Sequence, residues 1–158
     1  MRAGILKAMT KCCDRNAIGA CGNIVYTRGS IYATDKYVLV KIDWEHDDPE
    51  MYDREDMNLD WDAVKAAKPS EDIDVMAILV ERDVRTPKFD SYLKEPRRRD
   101  DGYEYAVDPK LPRKVVDVFS AADCPMQAED WGQMTHYHGY SNRGKLLIDA
   151  IVMHERLR

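Results

Sequence analysis

From Ala3 to Arg15 the apolar residues Ile5, Leu6, Met9, Cys12 and Cys13 recur on one side of a helical wheel, with Lys7, Lys11 and Arg15 on the other. That spacing predicts an amphipathic helix. After Gly19 and Gly22 the pattern shortens to β-branched and aromatic runs, Asn23 to Thr27 and Ser30 to Ala33, separated by Arg28-Gly29. A third run, Tyr37 to Ile42, follows the turn Thr34-Asp35-Lys36. These predict three strands joined by tight turns. The tail repeats the order. Tyr103 to Val107 reads as a strand, and a helix is expected from about Pro112 to Ala122, proline suiting its first position. Val115, Val118, Phe119 and Ala122 make its apolar side, with Lys110, Arg113, Lys114 and Asp117 opposite. Strands at Met126 to Glu129, Met134 to Tyr140 and Leu146 to Glu155 follow, the last two joined by Ser141-Asn142-Arg143-Gly144. The repeat is one of pattern and not of residues. It predicts an α+β fold in which two helices pack on one face of an antiparallel sheet.

The middle of the chain breaks this rhythm. Residues 43 to 62 carry acid after acid, from Asp43 to Asp62, opposed only by Arg54, and such a block is expected to stay solvated. Asn58 or Asp60 can cap a short helix through Ala67, ended by Pro69, and Ile73 to Glu81 suggests a buried strand. Arg82 to Gly102, rich in charge and proline, reads as a surface excursion. The expectation is one domain over residues 1–158 with an acidic, charged insertion at about 43–102.

Composition narrows the class. With 158 residues, 44% hydrophobic and 34% charged, the chain is too apolar to be disordered and long enough for one continuous core. The four cysteines form no C-x-x-C pair and are expected as reduced thiols of an intracellular protein. Apolar runs such as Val75 to Val80 and Leu146 to Met153 are too short to cross a membrane, and Lys7 and Lys11 interrupt any secretory leader, so a cytoplasmic location is expected. A net charge of -5 argues against a generic nucleic-acid coat. It leaves room for a local basic strip formed by Lys7, Lys11 and Arg15 with Lys110, Arg113 and Lys114, although Lys and Arg are the default residues of exposed helix positions and the charge pattern alone favours two ordinary solvated helix faces.

Catalytic motifs are missing. No G-x-S-x-G, phosphate-loop or dinucleotide fingerprint occurs, and no cofactor is expected. His136 and His138 share one side of a strand and could hold a metal with Cys124, Asp149 or His154, the basis of a metal-dependent hydrolase as a lesser reading; the alternative is an exposed polar sheet face. Cys12 and Cys13 sit on the apolar helix side, where core packing is expected rather than nucleophilic chemistry. Arg97-Arg98-Arg99 could touch phosphate, but Asp100-Asp101 partly cancel them.

Several short motifs then agree in order with a known family. Gly29-Ser30-Ile31-Tyr32-Ala33-Thr34-Asp35-Lys36-Tyr37-Val38-Leu39-Val40 resembles a strand pair turning on alanine-threonine-aspartate, Phe89-Asp90-Ser91-Tyr92 is similar to F-P-D-Y without its proline, and Tyr105-Ala106-Val107-Asp108 leads into the last helix. Ile151-Val152-Met153-His154-Glu155-Arg156-Leu157 is similar to V-M-P-M-R-L, with His154 in place of proline. Together they resemble the DNA sliding clamp of the bacterial DNA polymerase III beta-subunit family, over roughly residues 2 to 42 and 85 to 157. The resemblance implies a DNA-clamp-like domain with a pseudo-twofold repeat and a non-catalytic role in replication processivity. It implies double-stranded DNA, weakly and without sequence preference, as the partner of Lys7, Lys11, Arg15, Lys110, Arg113 and Lys114. It also implies polymerase or clamp-loader peptides as partners of Met153, Arg156 and Leu157. A family protomer strings three such domains together, so a ring of this chain would need a homo-oligomer of about six copies. The alternative is a regulatory interaction module that keeps the clamp fold without encircling DNA.

Overall fold

A computed structural model describes residues 1–17, 19–44, 49–96 and 102–157. The chain opens with helix α1 (Ala3–Thr10) and the strands β1 (Val25–Thr27), β2 (Ser30–Thr34) and β3 (Val38–Trp44). A short helix α2 (Glu50–Asp53), strand β4 (Met57–Leu59), helix α3 (Trp61–Ala66) and strand β5 (Leu79–Val80) follow. Strand β6 (Tyr105–Ala106) leads to helix α4 (Lys110–Ala121) and the strands β7 (Gln127–Asp130), β8 (Met134–Ser141), β9 (Leu146–Met153) and β10 (Glu155–Arg156). The fold is α+β, and its main sheet is antiparallel in the order β5-β4-β1-β2-β3-β9-β8-β7, open at both edges. Each of the helices α1 and α4 thus precedes a three-strand meander, and the meanders meet where Val38 pairs with Val152 and Trp44 with Leu146. Among the described residues no helix is long and apolar enough to cross a membrane.

Alternation along the strands decides which layer each side chain joins. Val38, Val40 and Ile42 of β3 and Leu146, Ile148, Ala150 and Val152 of β9 point into one core with Leu6 and Met9 of α1 and Val115, Val118 and Phe119 of α4. Burying each large aliphatic side chain there stabilises the fold by about 1.5–3 kcal/mol. The layer leaves no slack at Gly139 of β8. A methyl group there would run into the Pro125 carbonyl, with Cys124 Sγ at 2.9 Å and Phe119 Cε1 at 3.1 Å. On the opposite face Val25, Tyr32, Leu39 and Ile151 form a smaller core with Phe89 and Trp131.

Local chemistry explains the boundaries, including those that depart from expectation. The β1–β2 turn places Arg28 at φ 49° and Gly29 at φ 82°, the positive angles a tight hairpin requires at both central residues. Asp60 caps α3 by accepting from the Asp62 and Ala63 amides. Helix α1 stops at Thr10, short of Arg15, because Asp14-Arg15-Asn16 enters a turn in which the Asp14 amide donates to the Cys21 carbonyl and Ala17 to Asp14. The strand expected over Ile73 to Glu81 is mostly a 3-10 turn at Val75–Ile78, started by the Asp74 carboxylate accepting from the Met76 amide, and only Leu79–Val80 pairs.

The acidic stretch is also better integrated than its charge suggested. Met51, Leu59 and Val64 are buried, β4 extends the sheet against β1, and the Tyr26 hydroxyl donates to the Met51 carbonyl. These apolar residues, scattered between the acids, tie the segment to the main core. Arg82 to Gly102 is likewise more than a surface excursion, since Phe89 is 4% exposed and stacks on Tyr32 with ring centroids 4.7 Å apart. Glu45, Asp47 and Asp48 of the acidic run, and Arg97 to Asp101, lie outside the described residues.

Candidate functional site

Parts of three of the segments that carry the clamp resemblance, far apart in sequence, come together around one hollow on the sheet face away from α1 and α4, whereas Tyr105 to Asp108 is not in its lining. Its volume is about 310 Å³, and its lining includes Thr34, Tyr37 and Leu39 from the β2–β3 turn, Phe89 and Tyr92 from the 82–94 segment, and Met153 at the end of β9. Asp35 builds the turn. One carboxylate oxygen accepts from the Tyr37 and Val38 amides at 2.9 Å each, and the Thr34 hydroxyl donates to the Val38 carbonyl at 2.7 Å. The tight turn throws Tyr37 outward, so it stands 57% exposed at one rim while Tyr92 stands 58% exposed at another. Exposed aromatic side chains beside an apolar hollow make this a candidate recognition surface.

Met153 is therefore at the hollow, whereas the other expected partner-binding residues are not in its lining. Arg156 lies in β10, paired with β6, and its guanidinium covers the Tyr103 ring at 3.0 Å from the centroid. Leu157 is exposed and its amide donates to the Glu104 carbonyl. His154 is held by the Thr135 hydroxyl at 2.7 Å and the Gly132 carbonyl at 2.9 Å, which fixes the chain as it leaves β9.

Next to this apolar hollow, sharing Phe89 and Pro87 with it, is a polar one of about 520 Å³. Arg28, Lys41, Lys88 and Lys94 stand around it, with Asp56 and Asp90. Asp90 accepts from the Tyr32 hydroxyl at 2.7 Å and from Lys41 Nζ at 2.9 Å. Partial burial works to raise its carboxyl, but those two donors outweigh it and hold Asp90 below the usual carboxylate value. Burial and then the Asp90 hydrogen bond push the Tyr32 phenol up. Burial opposes the Lys41 charge, yet Asp90 and Asp43 more than compensate and keep its proton bound.

The two long helices lie side by side on the other face, with Cys12 Sγ 3.8 Å from the Lys114 carbonyl. Several of their basic residues are engaged inside the molecule. Lys114 Nζ bonds the nearly buried Asp35 carboxylate at 2.6 Å, tying α4 to the β2–β3 turn. Lys7 Nζ donates to the Lys65 carbonyl at 3.0 Å, and Arg15, beyond the helix end, stacks over Trp61 at 4.3 Å. Lys11, Lys110 and Arg113 are exposed and have no ion-pair partner among the described residues.

No family model, curated protein or solved structure matches the chain.

Burial pushes the Cys12 and Cys13 thiols up to about 12, far from nucleophilic at neutral pH. His136 Nε2 bonds Asp149 Oδ1 at 2.9 Å, and its ring lies in a stack between Trp131 and His138. Of the third ligands considered for a metal, only Asp149 is in contact; His154 is engaged elsewhere and Cys124 belongs to the helix-side core. Among the described residues no group of three or more His, Cys, Asp or Glu comes together to hold a metal.

Sequence reasoning missed Tyr37, Leu39 and Ile151 as lining of the apolar hollow, and the cationic group at Arg28, Lys41, Lys88 and Lys94. The usable signal for the first was the alternation of β3, which puts Leu39 on the face opposite Val38 and Val40. For the second there was none, because Arg28 and Lys88 are brought together only by folding.

Proposed function

We propose that this protein is a non-catalytic, clamp-like docking module that receives short apolar peptides of replication partners in the hollow at Met153. A single observation carries the reading. Residues from three of the stretches that resemble sliding clamps, among them Thr34, Tyr37 and Leu39, Phe89 and Tyr92, and Met153, line one cavity although nothing in their spacing along the chain requires it. The repeated order of a helix followed by three strands, joined at β3 and β9, is what a clamp-type pseudo-repeat would need. The test is fluorescence anisotropy with a labelled peptide from the clamp-binding segment of a bacterial replicative polymerase. Binding is expected, and Met153→Lys or Tyr92→Ala should weaken it about tenfold, the scale of losing one well-packed anchor. Absence of binding at millimolar protein, or equal binding by both variants, would end the proposal.

A second reading, weak association with double-stranded DNA, is favoured by the juxtaposition of α1 and α4 with Lys11, Lys110 and Arg113 exposed. The variant to use reverses these three residues. Reversing Lys114 would instead break its contact with Asp35 and confound a binding defect with a folding one. Binding to duplex should be lost in the triple variant and should fall steeply with salt.

A further inference from the structure

We infer that the polar hollow beside the apolar one is a second subsite of the same groove, which selects partner peptides carrying acidic residues next to their apolar anchor. This rests on the docking reading and adds the charge of the partner. The two hollows share Phe89 and Pro87, so a chain leaving the apolar hollow across the Phe89 edge enters the polar one directly.

The charge there is unusual for a protein of net -5. Lys41 is neutralised by Asp90, with Asp43 at 3.9 Å, which removes that pair from the account. What remains is Arg28, Lys88 and Lys94 against Asp56 in the lining and Asp43 beside it, an excess of positive charge. All of these cations are exposed, and none of their charged side-chain groups has a hydrogen-bonding or ion-pair partner among the described residues. The Thr86 hydroxyl, also in this lining, is buried and without a partner. Arg28 reinforces the point, since it occupies a left-handed turn position where Asn or Gly fits with less strain. Lys36, in the lining of the apolar hollow, adds further positive charge. Cations clustered beside an apolar pocket attract and orient a partner of opposite charge, and they discriminate against a basic one.

The probe is a random decapeptide library displayed on phage and selected on the immobilised full chain. Enriched peptides should pair an aliphatic or aromatic anchor with Asp or Glu at a fixed distance. One such peptide, synthesised and labelled, should bind the Arg28→Asn/Lys88→Glu/Lys94→Glu variant roughly tenfold or more weakly than the parent, with affinity falling as salt rises. The altered side chains are exposed, and near-ultraviolet circular dichroism of the variant should match the parent. Enrichment of apolar anchors without acidic bias, or equal binding by the triple variant, overturns this inference and leaves the docking module standing. Failure to enrich any peptide, or enriched peptides indifferent to Met153→Lys, removes the docking reading and this inference with it.

Discussion

The two faces of the central sheet solve the burial problem in different ways. On one, α1 and α4 close over Val40, Ile42, Ile148 and Ala150 so completely that these residues are at 0% exposure and Gly139 cannot accept a methyl group. On the other, Tyr32, Leu39 and Ile151 are covered by a segment whose main anchor is Phe89, and hollows of about 310 and 520 Å³ flank that ring. The closed face supplies stability, which leaves the looser one available for recognition. Polar and aromatic groups can stay exposed there because the closed face carries most of the burial.

That contrast can be attacked directly. The largest effect is expected from Gly139→Ala on the closed face, where the new methyl meets backbone and the backbone must move. A loss above about 3 kcal/mol in urea unfolding is expected; a loss under about 1 kcal/mol would show that the layer is not tightly packed. Phe89→Ala on the open face should cost less, about 2 kcal/mol, because the site is already flanked by space and little new cavity is created. It should also merge the two hollows and abolish any preference among peptides, whereas unfolding as severe as that of Gly139→Ala would erase the distinction between the faces.

The smallest effect is electrostatic. The folded-state pKa of Asp90 lies below its ordinary 3.8, so the stability it contributes is present above that value and is lost as pH falls through the lower one. Asp90→Asn should be less stable than the parent at about pH 5, with the difference shrinking toward about pH 3. Because Asp90 is exposed to solvent and screened, the gap should be small. A gap that stays constant across this range would mean that the carboxylate charge is not what matters.

The difference between the faces also marks what could be read in advance. The closed face was legible, since α4 announces Val115, Val118 and Phe119 by helical spacing, and β3 and β9 announce their inward residues by alternation. Even the Asp60 cap was visible as one of two candidates with Asn58, because capping is a local property. The open face was not. Phe89 sits in a stretch whose charge and proline content suggested loop, and no periodicity links it to Tyr32, its stacking partner. The fate of the basic strip was hidden for the same reason. Lys114 is exposed by the helical pattern, yet Asp35 lies 79 residues earlier in the chain and turns that lysine into a tether. Helix α1, too, is shorter than its apolar spacing suggested, since the Asp14–Asn16 turn outcompetes another helical turn.

The seam between β3 and β9 has a further consequence for biosynthesis. Its register joins Val38–Trp44 to Leu146–Met153. The early meander leaves the ribosome with a long apolar border that has nothing to zip onto until the closing stretch of the chain is made. Pairing across so long a separation is expected to form late in folding, after the local hairpins.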